Sequence, residues 1–522
     1  MGRRLATFWC IARRKRSGGV PVSLAAFLRA FLAVLLAVLA GAASVGVFAG
    51  AGSAAPLTQG GVAEAGASAP RPVSWPTAGF DAMRSGYNGL EKTLGPANVG
   101  RIHLLWRDDL GVDMIAQPVE AAGVRIRGKP TNVIYEGTEH GDFYALRASN
   151  GHVIWHAALG AVATACKYMP DGVFGIGDAA AIRFTSPGAG VVYVLDGAGE
   201  LHALDLATGA EQPGWPVRGI FTPKHEATYG GLNLFHGHLY ATAANHCGPE
   251  TPYSGRVVEV DVAAHKVVHR FFPDGPPSGG VSGGGIWGPG GVGIDPSNQD
   301  VYAGTGPAIA DPETYRYSDA VVQLTRSLHL IGHSTPPLDG LHDVDVGSTP
   351  VLFRPAGCPR TLAAAKDKDG ILFVYAAADV GAGPVQQFQI ANTRGAFNGD
   401  VAWDPVTGML YVSNPSNPYH SHRFRHGLVA LRANRCHLTP AWNKPLGTPE
   451  GTVSPPSVAN GVVYYGDGLG DEEFAVDAAS GKLLWSDASF GGPLFAPPTI
   501  VNGELLVASW DDYLYAFGLG GS

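Results

Sequence analysis

The sequence predicts an all-β protein: an eight-bladed β-propeller of four-stranded antiparallel blades, preceded by an N-terminal signal or anchor helix. The chain of 522 residues contains 73 Gly and 39 Pro but only 15% charged residues, which is typical of many short strands and turns. Strand cores between residues 131 and 519 fall into about eight units of roughly 50 residues, the size expected of propeller blades. Several of these units share a template that ends in Trp.

The first 55 residues differ in character from the rest of the chain. They carry seven Lys or Arg and no Asp or Glu, and a long apolar run follows at residues 30–56. Basic residues ahead of an apolar run stay on the cytoplasmic side, so residues 1–55 are either an uncleaved signal anchor or a signal peptide cut near Ala55. We favour the anchor, because about 20 apolar residues can span a bilayer.

Both interpretations place the body of the protein outside the cytoplasm, membrane-anchored or secreted. Residues 56–72 are rich in Ala, Gly, Ser and Pro and are predicted to form a flexible linker. The propeller is predicted to occupy residues 73–522.

The body is acidic. The formal charge of the whole chain is −8, and removing the seven cations of residues 1–55 leaves −8 − 7 = −15 for the remainder. An acidic surface repels phosphate backbones, so nucleic-acid binding is not expected.

Five cysteines fit an oxidising compartment. Cys10 lies in the leader, which leaves Cys166, Cys247, Cys358 and Cys436, an even number. Order along the chain suggests Cys166 with Cys247 and Cys358 with Cys436, although three connectivities are possible. Free thiols or zinc ligands are the alternative, but no Cys-x-x-Cys spacing is present.

The repeated template is clearest at residues 133–155, 191–215 and 471–485. Each copy runs from a strand of alternating apolar residues through a Gly-containing tight turn to a second strand that ends in Trp155, Trp215 or Trp485. Degenerate copies fill the intervals. This regular repetition indicates stacked sheets rather than a chance similarity between short segments.

The template Ala-x-Asp-x-x-Thr-Gly-x-x-x-Trp resembles the tryptophan-docking repeat of the quinoprotein propellers. The resemblance runs from residues 75–106 to residues 509–517, about 85% of the chain. This family includes pyrroloquinoline quinone (PQQ) alcohol dehydrogenases, polyvinyl-alcohol dehydrogenases and the non-enzymatic propeller of an outer-membrane assembly lipoprotein. The resemblance implies that Trp155, Trp215 and Trp485 pack between adjacent blades.

In the quinoprotein alcohol dehydrogenases, a Trp forms the floor beneath the quinone, an Asn after Gly-Thr-Gly binds Ca²⁺, and a following Asp is the general base. The resemblance places Trp287 at the floor position, but Pro307 stands where the Asn is expected and Thr314 where the base is expected. Asp311 and Glu313 are candidate catalytic replacements, or they are ordinary loop carboxylates.

Two further features concern the same site. Lys368, in a Lys-Asp-Gly turn, matches the Lys that contacts the quinone oxygens, or it is an exposed turn cation. Residues 334–352 resemble the family's Thr-Pro-x-Asp followed by paired Asp residues. The adjacent Cys-Cys pair that covers the quinone in many alcohol dehydrogenases is absent from the sequence.

Two function classes therefore remain open. The first is a catalytically degenerate scaffold that binds an envelope protein, a polymer or a cell-wall component through its loops, and we favour it because the metal ligand and the base are both replaced. The second is a dehydrogenase that uses pyrroloquinoline quinone and Ca²⁺ to oxidise an alcohol or a polymeric hydroxyl substrate. The sequence has no Cys-x-x-Cys-His haem motif. We expect a monomer that contacts the membrane only through its N-terminal segment.

Overall fold

The computed structural model describes residues 72–166, 169, 171–246, 253–276, 283–308, 316–336, 344–391, 399–415, 423–446 and 453–520. The chain divides into two units, Met1–Arg71 and Pro72–Ser522, and all the described residues belong to the second. The predicted leader and most of the predicted linker lie outside them. Within the described ranges, no helix has the length and apolar character needed to cross a membrane.

Eight sheets form the blades of the propeller, which confirms the predicted fold. Their inner strands are rich in Val, Leu, Ala and Tyr and are buried on both faces, because each sheet packs between two neighbours. The first four blades are blade 1, β3 (Val119–Ile126), β4 (Lys129–Gly137), β5 (Asp142–Arg147) and β6 (Val153–Ala158); blade 2, β9 (Ala181–Ser186), β10 (Ala189–Leu195) and β11 (Leu201–Asp205); blade 3, β12 (Glu226–Ala227), β13 (Asn233–Phe235), β14 (His238–Asn245), β15 (Arg256–Asp261) and β16 (Lys266–Phe271); and blade 4, β17 (Gly293–Ile294), β18 (Val301–Gly304), β19 (Val321–Leu324) and β20 (Leu330–Ser334).

The ring closes in blade 8, where an N-terminal strand completes a sheet made from the C-terminal end of the chain. A two-residue hairpin, β7 (Val162–Ala163) with β8 (Val173–Phe174), lies in the connection between blades 1 and 2, and Val99–Arg101 and Val380–Ala382 are short 3-10 turns. The remaining blades are blade 5, β21 (Val351–Phe353), β22 (Leu362–Lys366), β23 (Ile371–Ala376) and β24 (Gln386–Gln389); blade 6, β25 (Val401–Asp404), β26 (Met409–Asn414), β27 (Gly427–Asn434) and β28 (His437–Pro445); blade 7, β1 (Tyr87–Asn88), β29 (Ser457–Ala459), β30 (Val462–Asp467), β31 (Glu472–Asp477) and β32 (Leu483–Asp487); and blade 8, β33 (Thr499–Val501), β34 (Glu504–Ala508), β35 (Tyr513–Gly518) and β2 (His103–Asp109).

Blade 2 departs from the predicted four strands. Its outer edge is formed by Glu211 and Val217, which make single bridges to β11 at Leu204 and Leu201. The sequence between them, residues 212–216, contains two Pro and a Gly. Proline lacks the N–H that a continuous ladder needs, so a regular fourth strand does not form.

The antiparallel order of each blade gives the ring two distinct faces. Blades 3 and 7 carry the additional short strands β12 and β1, so β13 and β29 are counted as their first strands. The connections that follow the second and fourth strands of each blade then lie on one side, here called the loop face. The turns that follow the first and third strands lie on the other side, here called the turn face. Eight large apolar clusters fill the ring, one between each pair of neighbouring blades.

Tryptophans at the outer strands contact glycines of the next blade. A Cβ on Gly209 of blade 2 would lie 2.7 Å from the ring of Trp155 in blade 1, and Trp155 Nε1 donates to Leu206 O at 3.0 Å. Trp106 and Trp442 contact Gly151 and Gly481 in the same way. Trp215 instead meets the ring of His265 at 5.5 Å, and Trp485 packs against Phe517 at 5.2 Å.

A single N-terminal segment, residues 75–88, contacts all eight blades in order. Most of these contacts are backbone hydrogen bonds to the first strand of a blade or to the residue beside it, so the segment links the ring internally. The contacts are Trp75 with Glu120, Pro76 with Ile182, Thr77 with Leu232, Ala82 with Ile294, Met83 with Leu352, Ser85 with Trp403, Gly86 with Val458, and Asn88 with Ile500.

The predicted disulfide between Cys358 and Cys436 is confirmed, and it joins turns of blades 5 and 6 on the turn face. Cys166 is also disulfide-bonded, whereas Cys247, its predicted partner, lies outside the described residues.

Candidate functional site

Trp287 lies on the loop face, in the connection between β16 and β17, and its side chain is half-buried. The indole rests against the backbone of Gly347, which precedes blade 5. A Cβ at Gly347 would lie 2.2 Å from Cζ2 of Trp287, far inside van der Waals contact. The absence of a side chain at residue 347 therefore permits this position of the indole.

Two buried polar groups hold the loop that carries Trp287. The carboxylate of Asp400 accepts hydrogen bonds from the backbone N–H groups of Gly290 at 2.9 Å and Thr349 at 2.6 Å. The Thr349 hydroxyl accepts a second bond from Gly290 N at 2.8 Å. Burial raises the pKa of Asp400 to about 7, although these hydrogen bonds and Arg84 oppose the increase. Asp400 thereby joins the loops that enter blades 4 and 5.

Lys368 follows β22 in the same region, and its backbone N–H donates to Val344 O and Asp345 O at 3.0 Å. Its ammonium group forms an ion pair with the carboxylate of Asp345 and lies 5.2 Å from the centre of the Trp287 ring. Both members of the pair are mostly buried. The two residues predicted to bind a quinone, Trp287 and Lys368, are thus neighbours, and Lys368 is paired with a carboxylate.

The Gly-Thr-Gly-Pro segment at residues 304–307 forms the adjacent wall. A Cβ at Gly306 would lie 2.2 Å from Oδ1 of Asp345, so the carboxylate lies directly over this glycine. Gly306 N donates to Gly285 O at 2.7 Å, and Pro307 O accepts a hydrogen bond from Gly284 N at 2.9 Å. These bonds join the segment to the loop that carries Trp287.

Additional acidic side chains surround the phenol of Tyr253. Burial raises the pKa of Tyr253, and the nearby charges of Asp345, Asp274 and Asp319 raise it further. Asp274 Oδ1 accepts a hydrogen bond of 2.5 Å from the Ser318 hydroxyl, while Asp274 Oδ2 is buried and has no hydrogen-bond partner among the described residues. This side of the site therefore carries several carboxylates, with the cations Lys368 and Arg316 beside Asp345 and Asp274 respectively.

The resemblance to quinoprotein dehydrogenases implies a bound quinone and Ca²⁺, and the described residues fit these two groups unequally. The half-exposed indole of Trp287 beside the Lys368 ammonium suits a flat anionic group. Ca²⁺ takes six to eight oxygen ligands, yet Pro307 offers no side-chain oxygen. Across the described ranges, no group of three His, Cys, Asp or Glu side chains is placed to hold a metal ion. The described residues therefore fit a flat anionic group better than they fit Ca²⁺.

The predicted catalytic replacements, Asp311 and Glu313, lie outside the described residues, as does Thr314. The carboxylate that the structure places beside Lys368 and over Gly306 is Asp345, which is not among the candidate bases predicted from the sequence. The sequence feature that could have indicated this carboxylate is the pair Asp343 and Asp345, of which Asp345 lies two residues before Gly347.

Substitution of Gly347 by Ala is expected to displace the indole of Trp287, because the new Cβ would overlap it. Overpacking of this kind destabilises by about 1–3 kcal/mol, and the tryptophan emission spectrum should shift as the ring leaves Lys368. Gly381→Ala is the control, since a Cβ there makes only ordinary contacts. An unchanged emission spectrum for Gly347→Ala, with the control also unchanged, would contradict the described packing.

Comparison with known proteins is consistent with this architecture. A family model described as "Outer membrane protein assembly factor BamB" matches residues 436–519. No curated protein matches the chain by sequence.

Solved structures give a broader match. The quinohemoprotein alcohol dehydrogenase ADHIIG from Pseudomonas putida HK5 has a TM-score of 0.64 at 18% identity, over 87% of this chain and 81% of that one. The quinohemoprotein alcohol dehydrogenase from Comamonas testosteroni gives 0.60 at 19% identity, over 86% and 81%. A europium-containing methanol dehydrogenase gives 0.62 at 15% identity, over 87% and 99%. Together these similarities identify the fold as a PQQ-repeat β-propeller.

Proposed function

Given the PQQ-repeat β-propeller fold, we propose that this chain is an extracytoplasmic binding protein in which the metal-assisted oxidation site is degenerate. Its occupant is an envelope protein, a polymer or a cell-wall component bound at the loop face. The location outside the cytoplasm is supported by the Cys358–Cys436 disulfide, because such bonds persist in oxidising compartments.

The observation that carries this proposal is the Lys368–Asp345 ion pair, whose carboxylate lies over Gly306, the residue before Pro307. A general base must be free to take a proton from the substrate, whereas the charge of Asp345 is already balanced by Lys368. The position expected to supply a Ca²⁺ ligand is Pro307, whose carbonyl oxygen accepts a hydrogen bond from Gly284. Neither the cation site nor a free base is evident among the described residues.

A second candidate function is a PQQ-dependent dehydrogenase acting on an alcohol or a polymeric hydroxyl. It is favoured by the convergence of Trp287, Lys368 and Asp345, which come from three separate connections. When bound, the quinone would supply a hydride acceptor. This chain would contribute Trp287 as the flat surface beneath the ligand and Lys368 as the cation at its edge.

Titration of the full chain with pyrroloquinoline quinone and Ca²⁺ separates the two candidates. We expect no saturable quenching of tryptophan fluorescence and no dye-linked alcohol oxidation. The matched variant is Trp287→Ala, which removes the proposed stacking surface and leaves the other nine tryptophans. Saturable quenching that Trp287→Ala abolishes, together with alcohol turnover, would establish the dehydrogenase and overturn the degenerate binding protein.

A further inference from the structure

The first hairpins of blades 1 and 2 differ from the corresponding hairpins of the other six blades. Their first strands, β3 and β9, have eight and six residues, whereas the first strands of the other blades have two to four. Both hairpins turn on the turn face. The extra length therefore makes a paired projection, here called the basic hairpins, comprising residues 121–132 and 183–190.

Backbone contacts and a bulge join the two hairpins. Arg125 N donates to Gly188 O at 2.9 Å, and the register of β3 shifts between Ala121 and Val124. The bulge opens a groove of about 420 Å³ between the hairpins, with Pro72, Gly123, Phe184 and Pro187 among the residues that line it.

The projection is positively charged, although the body of the chain is strongly acidic. Arg125, Arg127, Lys129 and Arg183 are exposed, and no Asp or Glu occurs within residues 121–135 or 179–195. In the described part of the chain, none of these four cations forms an ion pair. The nearest carboxylates in sequence are buried: Glu120, Glu136, Asp178 and Asp196. Neither hairpin therefore contains a carboxylate of its own that could neutralise these cations.

An exposed aromatic ring accompanies these cations. Phe184 is 39% exposed although it is a large apolar side chain, and it neighbours Arg183 on the hairpin of blade 2. Cations combined with an exposed aromatic ring are the features by which peripheral proteins bind anionic lipid surfaces.

The path of the chain supports a bilayer as the surface that the basic hairpins contact. Pro72, the first described residue, lines the groove between the basic hairpins, and only 16 residues, 56–71, separate it from the apolar run that ends near Ala55. Sixteen residues reach at most about 55 Å when fully extended. Should the apolar run be retained as an anchor, it would keep this projection within reach of a bilayer.

We propose that the basic hairpins form a membrane-contact surface for anionic phospholipid headgroups, with Phe184 at the acyl boundary. This contact is additional to the predicted contact through the N-terminal segment. It places the turn face toward the bilayer and leaves the loop face, with Trp287 and Lys368, directed away from it.

A fluorophore on the hairpin of blade 2 tests the contact in the full chain. An environment-sensitive dye is attached to Ser186→Cys in a Cys10→Ser background, and the same dye on Ser489→Cys reports the opposite face. With vesicles that contain roughly 30% phosphatidylglycerol, the dye at position 186 should gain emission relative to pure phosphatidylcholine vesicles, and this gain should fall between about 0.05 and 0.5 M salt. The dye at position 489 should not respond.

Charge reversal provides the matched comparison. The triple variant Arg125→Glu, Arg127→Glu, Lys129→Glu should reduce the anionic-lipid-dependent gain at least about fivefold. The control triple Lys224→Glu, Arg316→Glu, Arg423→Glu makes the same change in net charge at exposed loop-face positions and should retain the gain. Folding of both triples is verified by the midpoint of thermal unfolding.

Three outcomes would overturn the proposal. The first is equal emission with both kinds of vesicle, and the second is an equal loss in the two charge-reversal triples. The third is a response of the dye at position 186 to a soluble polyphosphate but not to vesicles, which would assign the basic hairpins to a soluble polyanion. All three readouts are independent of quinone binding and turnover.

Discussion

Replacement of Arg84 by Met is expected to destabilise the propeller by about 3–5 kcal/mol, because it removes a buried cation and leaves its partners buried. The side chain of Arg84 is 2% exposed. Its guanidinium donates to Val292 O at 3.1 Å, Gly231 O at 2.9 Å and Ala78 O at 2.6 Å, and to the Thr77 hydroxyl at 2.9 Å. No single apolar side chain can satisfy these acceptors.

Arg84 is still charged at neutral pH. Burial lowers its pKa to about 10, and the carboxylates of Asp81 and Asp400 oppose this decrease. The Met variant therefore also removes a positive charge from the neighbourhood of Asp400, which holds the loop of Trp287. The loss of stability should be accompanied by a change in tryptophan emission.

The measurement is the shift of the urea unfolding midpoint, read by circular dichroism. Arg84→Lys should recover little of the stability, because one ammonium cannot reproduce a planar fork that bonds to four acceptors. Arg127→Met is the control: residue 127 is exposed on the turn face, and its replacement should change the stability by no more than about 0.5 kcal/mol. An Arg84→Met midpoint equal to that of Arg127→Met would show that Arg84 does not connect the blades.

The position of Arg84 links ring closure with the candidate site. It belongs to residues 75–88, which contact every blade, and its hydrogen bonds reach Gly231 and Val292 at the entrances of blades 3 and 4. The loop of Trp287 lies between these two points in the sequence. The hydrogen bonds of Arg84 therefore connect the segment that links the ring to both ends of the region that contains the Trp287 loop.

The sequence was sufficient to predict the blades because each blade repeats a local pattern. Apolar alternation, a Gly-containing turn and a terminal Trp are all short-range features, so spacing along the chain reveals them. The contacts of residues 75–88 have no such signature. They are mostly backbone hydrogen bonds, which any residue except proline can donate and every residue can accept.

The candidate site was only partly predictable for a related reason. Trp287 and Lys368 were found through the resemblance, and the structure brings them together. Asp345 was not predicted, because the family pattern places the base a fixed number of residues after Gly-Thr-Gly, within blade 4. The structure instead supplies the carboxylate of Asp345, from the connection between blades 4 and 5. That Asp345 lies close to Lys368 does not follow from residue spacing in the sequence.

Raising the pH from about 6.5 to about 9 is expected to weaken the propeller through His202 in blade 2. Burial lowers the pKa of His202, but the nearby carboxylate of Asp196 and the hydrogen-bonded carboxylate of Glu211 outweigh burial and raise the pKa to about 9. Nδ1 lies 2.6 Å from Glu211 Oε2, and Nε2 lies 3.6 Å from Asp196 Oδ2. Because the folded pKa exceeds the unfolded value of 6.5, the stabilisation is complete below pH 6.5 and is lost as the pH passes through about 9.

The pKa difference corresponds to at most about 3 kcal/mol. His202→Gln should lack this pH dependence, whereas His437→Gln, at an exposed position, should retain it. The measurement is the urea midpoint between pH 6 and pH 9.5.

Glu211 also accepts a hydrogen bond from Ala203 N at 2.8 Å and forms part of the outer edge that replaces a fourth strand in blade 2. Loss of the His202 proton should therefore release this edge first, so amide exchange should accelerate at residues 201–217 before the rest of the ring. Parallel pH profiles for the wild-type protein and His202→Gln would refute this assignment.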